Sequence, residues 1–477
     1  MSNATDTLAR QRLLRLLDEK SFMEIGALVT ARSTDFHLDQ TSTPGDGVIT
    51  GYGQIDGTLV YVYSQDASVL NGSIGEMHSK KIKAIYDMAM KMGAPVIGLI
   101  DCAGVRLKES FDALEALGKI FAKQTEASGV VPQICAVFGS CGGGLSVLPA
   151  LGDFTYLEKD AKLFVNSPDA ISGNSKGKCD TSCADFQSAN NGIVDGVGTE
   201  EEIFAQIRSL IGMLPENAFE GGCEDECADD LNRSCDGIEG FAGDVRMLLT
   251  MIADGGQFME TKKQFAPDMV TGFLKMNGYT VGAIANCTEH LSEDGSKAEE
   301  FESVLTVNGC TKAADFVNFC DAFDIPILSL TNASGLKACL CSEKGLARAL
   351  ARMTRALSEA TVPKVNVITK EAMGSAYIFM NSKSIGADLV FAWDGAKAGI
   401  MDPKLAASIL YEEGGADVIA EKAKEFASVQ SGVNRAAERG YVDRIIAPAD
   451  TRKYMIAAFD MLYTKSVAEP EKKHSTK

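Results

Sequence analysis

The chain repeats itself. "GAPVIGLIDCAG" ends at Gly104 and "DIPILSLTNASG" at Gly335; Pro132 of "VVPQ" answers Pro363 of "TVPK"; Gly143 answers Gly374. All three pairs stand 231 residues apart. At slightly different separations "SFMEI" echoes "QFMET", "TGYGQIDGTLV" echoes "TGFLKMNGYTV", and "AKLFVNSP" echoes "AKAGIMDP". An ordered series of this length predicts one fold built twice. The expected domains are residues 1–235 and 236–477, joined in the polar, acidic, glycine-rich stretch 215–245.

Within each half the pattern alternates. "HSKKIKAIYDMAMKMG" carries Ile82, Ile85, Met88 and Met92 at helical spacing. "APVIGLID" and "VPQICAVFG" are short apolar runs of the kind that form strands buried on both faces. Strands alternating with helices predict a layered α/β fold. The glycines then fall at strand ends, where the next helix presents unpaired backbone N–H groups.

Composition removes several function classes. A formal net charge of −19 over 477 residues argues against a nucleic-acid or anionic-membrane binder. No apolar run is long enough to span a bilayer, and the charged opening "MSNATDTLARQRLLRLLDEK" does not read as a secretion signal. The expected location is cytoplasmic, with the thirteen cysteines as reduced thiols. Cys223, Cys227 and Cys235, with Cys179 and Cys183 upstream, have poor zinc spacing and no nearby histidine. They are expected to be exposed or loop cysteines, and no bound metal is expected.

What needs bare backbone at Gly142-Gly143-Gly144? Three readings compete: close packing of helix on strand, a phosphate cradle, or an oxyanion hole of N–H groups at a strand-to-helix turn. "SCGGGLS" has neither GxGxxG spacing nor a Walker lysine, which weakens the second. A similar small-residue turn in each half favours the third, with two oxygens to stabilise. Ser140 and Ser146 lack a GxSxG context. His37, His78, His290 and His474 are expected to be surface or loop residues outside the chemistry.

The quoted runs, together with "GDGVITGYGQIDG", "YSQDASVLNGSIGEMHSKK" and "EATVPKVNVITKEAMGSAY", strongly resemble the biotin-dependent acyl-CoA carboxyltransferases over about residues 15–465. The group includes the propionyl-CoA carboxylase β subunit and the carboxyltransferase subunits of methylmalonyl-CoA and glutaconyl-CoA decarboxylases. The resemblance implies two tandem crotonase-like domains, the first on the acyl-CoA side and the second on the biotin side. It implies a carboxyl group moved between biotin on a separate carrier protein and a short acyl-CoA. Enolate and ureido anions would be held in two backbone oxyanion holes. Carried over by motif, the first hole is Gly143 and Gly144. The second belongs to Gly374-Ser375-Ala376, with Ser375 and Ala376 as donors. Further carry-over gives Gly104, Arg106, Gly335 and Gly374 as substrate-binding positions. Lys80 and Lys81, within a basic group that includes Lys83, Arg106 and Lys108, are either a solvated face or a contact for CoA phosphates. Implied partners are a biotin carboxyl carrier protein, a biotin carboxylase or membrane decarboxylase subunit, and copies of the chain itself in a hexamer with sites shared between chains.

The match has gaps. The family's Asp-x-Pro-Gly-Phe-x-Pro-Gly is here "TNASGLKACLCSEKG", which keeps Gly335 but neither proline nor the phenylalanine. "AMKM" around Lys91 copies a biotin-attachment signature but lies in a helical pattern, so the carrier is expected to be another chain. Two other readings stay open: a crotonase-type CoA hydratase or isomerase, which needs a carboxylate base near Gly143, and a non-catalytic assembly subunit.

Overall fold

The computed structural model describes residues 7–32, 37, 41–219, 226–292, 294–430 and 432–468. The chain forms two compact units, Met1–Cys223 and Glu224–Lys477. The division falls upstream of the expected Cys235. The reason is visible at that residue: its N–H donates to the Ala449 carbonyl, and its thiol packs in the core of the second unit.

The first unit opens with helix α1 (Leu8–Leu16) and strands β1 (Met23–Ile25), β2 (Val48–Ile55) and β3 (Thr58–Gln65). Helix α2 (Glu76–Met92), β4 (Val96–Cys102), helix α3 (Ser110–Ala127) and β5 (Gln133–Gly142) come next. The sheet is completed by β6 (Phe154–Glu158), β7 (Lys162–Phe164) and β8 (Val194–Gly198). The order is β1-β2-β3-β4-β5-β6-β8, with β7 beside β5. Pairing is antiparallel through β3 and parallel beyond it.

The second unit supplies β9 (Phe258–Thr261), β10 (Met269–Met276) and β11 (Tyr279–Asn286). A hairpin of β12 (Glu289–Leu291) and β13 (Lys297–Glu300) comes next, then β14 (Val304–Leu305), helix α4 (Val307–Ala322), β15 (Ile327–Ala333) and β16 (Gly335–Leu336). Helix α5 (Leu346–Glu359), β17 (Lys364–Met373), helix α6 (Gly374–Phe379), β18 (Leu389–Trp393), β19 (Lys397–Gly399) and β20 (Arg444–Ile446) complete it. The main sheet runs β9-β10-β11-β15-β17-β18-β20 with β19 beside β17. Strand for strand, this is the order of the first unit.

The correspondence extends to an irregularity. Along β4 and β5 the pairs run to Ile100–Val137 and resume at Cys102–Cys141, so β5 carries extra residues. Along β15 and β17 they run to Thr331–Ile368 and resume at Ala333–Ala372. A bulge bends its strand and re-aims the residues beyond it. Before the bulge β5 pairs with β6; after it, Ser140–Gly142 pair with β7. β17 likewise changes from β18 to β19. Each bent strand ends at a glycine turn.

Helical phase decides which side of α2 enters the core. His78, Lys81, Ile82, Ile85 and Ala89 are buried, and the helix stops at Gly93 in the left-handed region, φ 65°. Lys91 is exposed in the last turn of that regular helix. A residue so held does not present the hairpin tip of a biotin-carrier domain. Intact-mass measurement should therefore give the bare 50.7 kDa chain, and an avidin blot should be blank; covalent biotin at Lys91 would overturn this reading.

Candidate functional site

The three consecutive glycines have three different causes. A Cβ at Gly142 would sit 2.5 Å from the Phe164 ring, so here the requirement is packing. Gly143 has φ 65°, a backbone state that side-chain-bearing residues adopt at a cost. At Gly144 neither holds: φ is ordinary, and an added Cβ would meet nothing within 4 Å because the position faces open space. Packing alone thus does not explain the run. The short helical turn Gly143–Ser146 begins here with no side chain capping its N-terminus. The first N–H groups of such a turn have no partner within it.

The second turn repeats the arrangement. Gly374 has φ 58° and opens α6, again without a side-chain cap. Gly374 stands where Gly143 stands, so Ser375 corresponds to Gly144 and Ala376 to Leu145. Ser375 is exposed; the side chains of Ala376 and Leu145 are buried.

Each turn lines a cavity in its own unit. In the first, a cavity of about 600 Å³ is bounded by Gly142–Leu145, the 103–108 loop, Leu70, Asn71, Leu114 and Leu117. Gly104, Arg106, Gly143 and Gly144 therefore meet at one place. In the second, a cavity of about 640 Å³ is bounded by Gly374, Ser375, Tyr377, Ile400, Phe426 and Tyr441, with Arg435 and Arg439 among its walls. Among the described lining residues of both cavities there is no aspartate, glutamate or histidine. Gly335 lies in β16, paired with Val304, and lines neither. The leucine wall and the two arginines were not singled out from sequence, because they come together only through loop and helix packing.

The basic group needs correction. Lys80 is exposed on α2, but Lys81 is buried and its ammonium donates to the carbonyls of Gly45 and Val48. Burial pushes its pKa down to about 8. Arg106 is buried too. Its guanidinium donates to Asp46 at 2.5 Å, Glu109 at 2.6 Å and the Ser73 carbonyl at 2.7 Å. The Lys81 and Arg106 heads are bound to groups inside the fold, and Arg106 at the same time lines the first cavity. Glu109 also accepts the Glu76 N–H at 2.6 Å, tying the cavity loop to the start of α2. Burial outweighs Arg106 at Asp46 and holds that carboxyl above its ordinary value.

The histidines also differ from expectation. His78 and His290 are buried, while His37 is exposed and His474 lies outside the described residues. His78 Nδ1 is 3.0 Å from the Asp46 carbonyl, which can only accept; Nδ1 therefore carries the hydrogen, and Nε2 accepts from the Gln65 amide at 3.3 Å. Cys235 is buried rather than exposed, Cys227 is half-buried, and Cys223 lies outside the described residues. Among the described residues no three potential metal ligands cluster, and no helix is long and apolar enough to cross a membrane.

A family model for the carboxyl transferase domain matches residues 3–476. The carboxyltransferase subunit of propionyl-CoA carboxylase from Haloferax mediterranei is 38% identical, covering 98% of this chain and 92% of that protein. The α subunit of methylmalonyl-CoA decarboxylase from Veillonella parvula is also 38% identical with the same coverage. Among solved structures, transcarboxylase 12S superposes with a TM-score of 0.92 at 36% identity, over 98% of this chain and 92% of that one. That structure is described as a hexamer assembly with hydrolysed methylmalonyl-coenzyme A bound.

Burial, then the Arg106 charge, push the His78 pKa down to about 3, against an ordinary 6.5. The ring is neutral in the fold and takes a proton more readily when unfolded. Its stabilising contribution is thus complete above about pH 6.5 and falls as the pH drops toward 3. Between about pH 8 and about pH 5, wild type should lose about 2 kcal/mol more unfolding free energy than His78→Gln. Denaturant titrations check this; parallel losses in the two proteins would contradict it.

Proposed function

Because the chain belongs to the carboxyl transferase domain family, we propose that it moves a carboxyl group between biotin on a separate carrier protein and a short acyl-CoA. One observation carries the reading. Two uncapped glycine turns, at the same point of two sheets of one topology, open onto cavities whose described lining residues offer no carboxylate or imidazole. A hydratase or isomerase needs a base near Gly143, and none lines that cavity among the described residues. What the walls do offer is backbone dipoles fixed in apolar surroundings, suited to oxygens that gain negative charge.

The N–H groups of Gly143 and Gly144 hold the thioester oxygen as it becomes an enolate oxygen. Those of Ser375 and Ala376, one position further along their turn than the first pair, hold the ureido oxygen at the biotin side. Biotin on its carrier supplies both the carboxyl group and the base for the α-proton. Leu70, Leu114 and Leu117 give the first site an apolar side, against which an acyl chain packs and beside which N–H dipoles are screened less than in bulk water. Lys80 and Lys108, both exposed, are candidate contacts for CoA phosphates on this face. The same donors serve carboxylation and decarboxylation, since both pass through one enolate. Implied partners are the biotin carrier and either a biotin carboxylase or a membrane decarboxylase subunit.

Pro is tolerated in the first turn of a helix and removes one N–H. Gly144→Pro should retain its assembly and thermal unfolding yet lose roughly 10²–10³-fold in proton–deuterium exchange at the acyl-CoA α-carbon. Ser375→Pro should keep that exchange and acyl-CoA binding but lose a similar factor in decarboxylation of carboxybiotin. A folded, fully active Gly144→Pro protein would refute the assignment.

The surface favours assembly. Leu107 is 86% exposed and Phe111 79% exposed beside the first cavity, and Ile400 is 69% exposed at the second. Contiguous exposed apolar patches mark association surfaces, and these side chains are the places to look for one. Light scattering should give a hexamer of the 50.7 kDa chain; an active monomer at micromolar concentration would exclude it.

A further inference from the structure

The loop after β16, where the chain lacks the family's prolines, holds two thiols in mutual contact. Cys339 and Cys341 flank Leu340, and their Sγ atoms are 2.6 Å apart. Cys341 is exposed and Cys339 half-buried, so reagents dissolved in water reach the pair. Cys339 Sγ also contacts the Ser342 hydroxyl at 3.1 Å and accepts the Ser342 N–H at 3.4 Å.

These thiols differ chemically from the buried ones. Burial pushes the Cys135, Cys287 and Cys310 thiols up to about 12, where they stay protonated and inert. Cys339 moves the other way, to about 7, because Cys341 hydrogen-bonds to it and Ser342 adds its hydroxyl and N–H. Lys337, bound to Glu302, is a cation close enough to feel both sulfurs. A substantial thiolate fraction at neutral pH therefore sits against a second thiol, the arrangement that thiol–disulfide exchange requires.

We propose that Cys339 and Cys341 are a redox-modification site that accepts a low-molecular-weight disulfide and closes to an intramolecular disulfide. The Cys339 thiolate attacks one sulfur of the incoming disulfide. The bond between its two sulfurs breaks, and one half leaves as a thiolate that takes a proton from water. Cys341 then attacks the Cys339 sulfur of the mixed disulfide, gives up its proton and expels the other half as a second thiol. Two cysteines lose two electrons and two protons, and one disulfide becomes two thiols. β16 packs against α6, so the site lies on a loop bordering the second glycine turn.

Trypsin isolates the pair, because Lys337 and Lys344 bracket a peptide from Ala338 to Lys344 that contains both cysteines. The intact protein is equilibrated in glutathione buffers from fully reduced to fully oxidised, quenched with an alkylating reagent, digested and weighed. In oxidised buffer the peptide should appear unalkylated and lighter by two hydrogen atoms. In reduced buffer it should return to the doubly alkylated form. Cys341→Ser should stop halfway, with one glutathione on Cys339. The proposal is overturned if the wild-type peptide stays doubly alkylated throughout, if it accumulates a glutathione adduct without the ring, if either cysteine joins one elsewhere, or if Cys341→Ser gains no adduct.

Discussion

A bulge between the two central parallel strands is the constraint on which both sites depend. Regular pairing would carry β5 straight along β6 and end it in the sheet. The extra residues between Val137 and Cys141 bend it, and its last residues pair with β7 instead. The strand therefore leaves the sheet pointing elsewhere and must reverse into a helical turn at once. Only a residue at ease with positive φ makes that reversal cheaply, and Gly143 and Gly374 stand at those places. The unpaired N–H groups arise from the turn, not from any side chain. The donors at both turns are thus a consequence of strand geometry.

The first site is also held from behind. Arg106 joins Asp46, Glu109 and the Ser73 carbonyl, and Glu109 reaches the N–H of Glu76. The cluster therefore links three chain segments that are distant in sequence: the 44–48 turn, the start of α2, and the loop lining the cavity. Breaking a buried ion pair by removing one partner typically costs about 3–5 kcal/mol, because the other charge is left stranded. Beneath the cluster, His78 donates to the Asp46 carbonyl and bonds to Gln65 at the end of β3. A flexible arginine on the surface could bind an anion. This one fixes the position of Gly104 and its neighbours.

Much of this was legible in the sequence because it is periodic or repeated. The constant spacing of Gly104 and Gly335, Pro132 and Pro363, and Gly143 and Gly374 pointed to the double fold, and the bulges fall at the same spacing. The strand-end position of the glycines followed from the apolar runs before them. What escaped depends on contacts between distant segments. Lys81 and Arg106 read as part of a basic group, since charge in a sequence does not reveal which buried carbonyls and carboxylates the folded chain will bring to it. His78 sits three residues before Lys81 on the same buried face, and only packing shows that both heads meet carbonyls of the 44–48 turn. Cys235 falls in the second unit, where its N–H meets the Ala449 carbonyl and its thiol packs in the core.

The absence of acids and histidines from the described cavity walls has a physical rationale. A carboxylate near Gly143 would repel a developing enolate oxygen and compete with the substrate for its two N–H groups. It would also draw water into a site whose dipoles gain strength from apolar walls. Peptide N–H groups avoid these costs: they carry no net charge, do not titrate, and are oriented by the fold before the substrate arrives. The second cavity obeys the same rule, with Arg435, paired to Glu438, and Arg439 among its walls. On the proposed function, a base carried by biotin on a separate protein would be present for the proton transfer and absent from the cavity wall otherwise. A base placed on a partner in this way would let one chain keep carboxylates away from both turns.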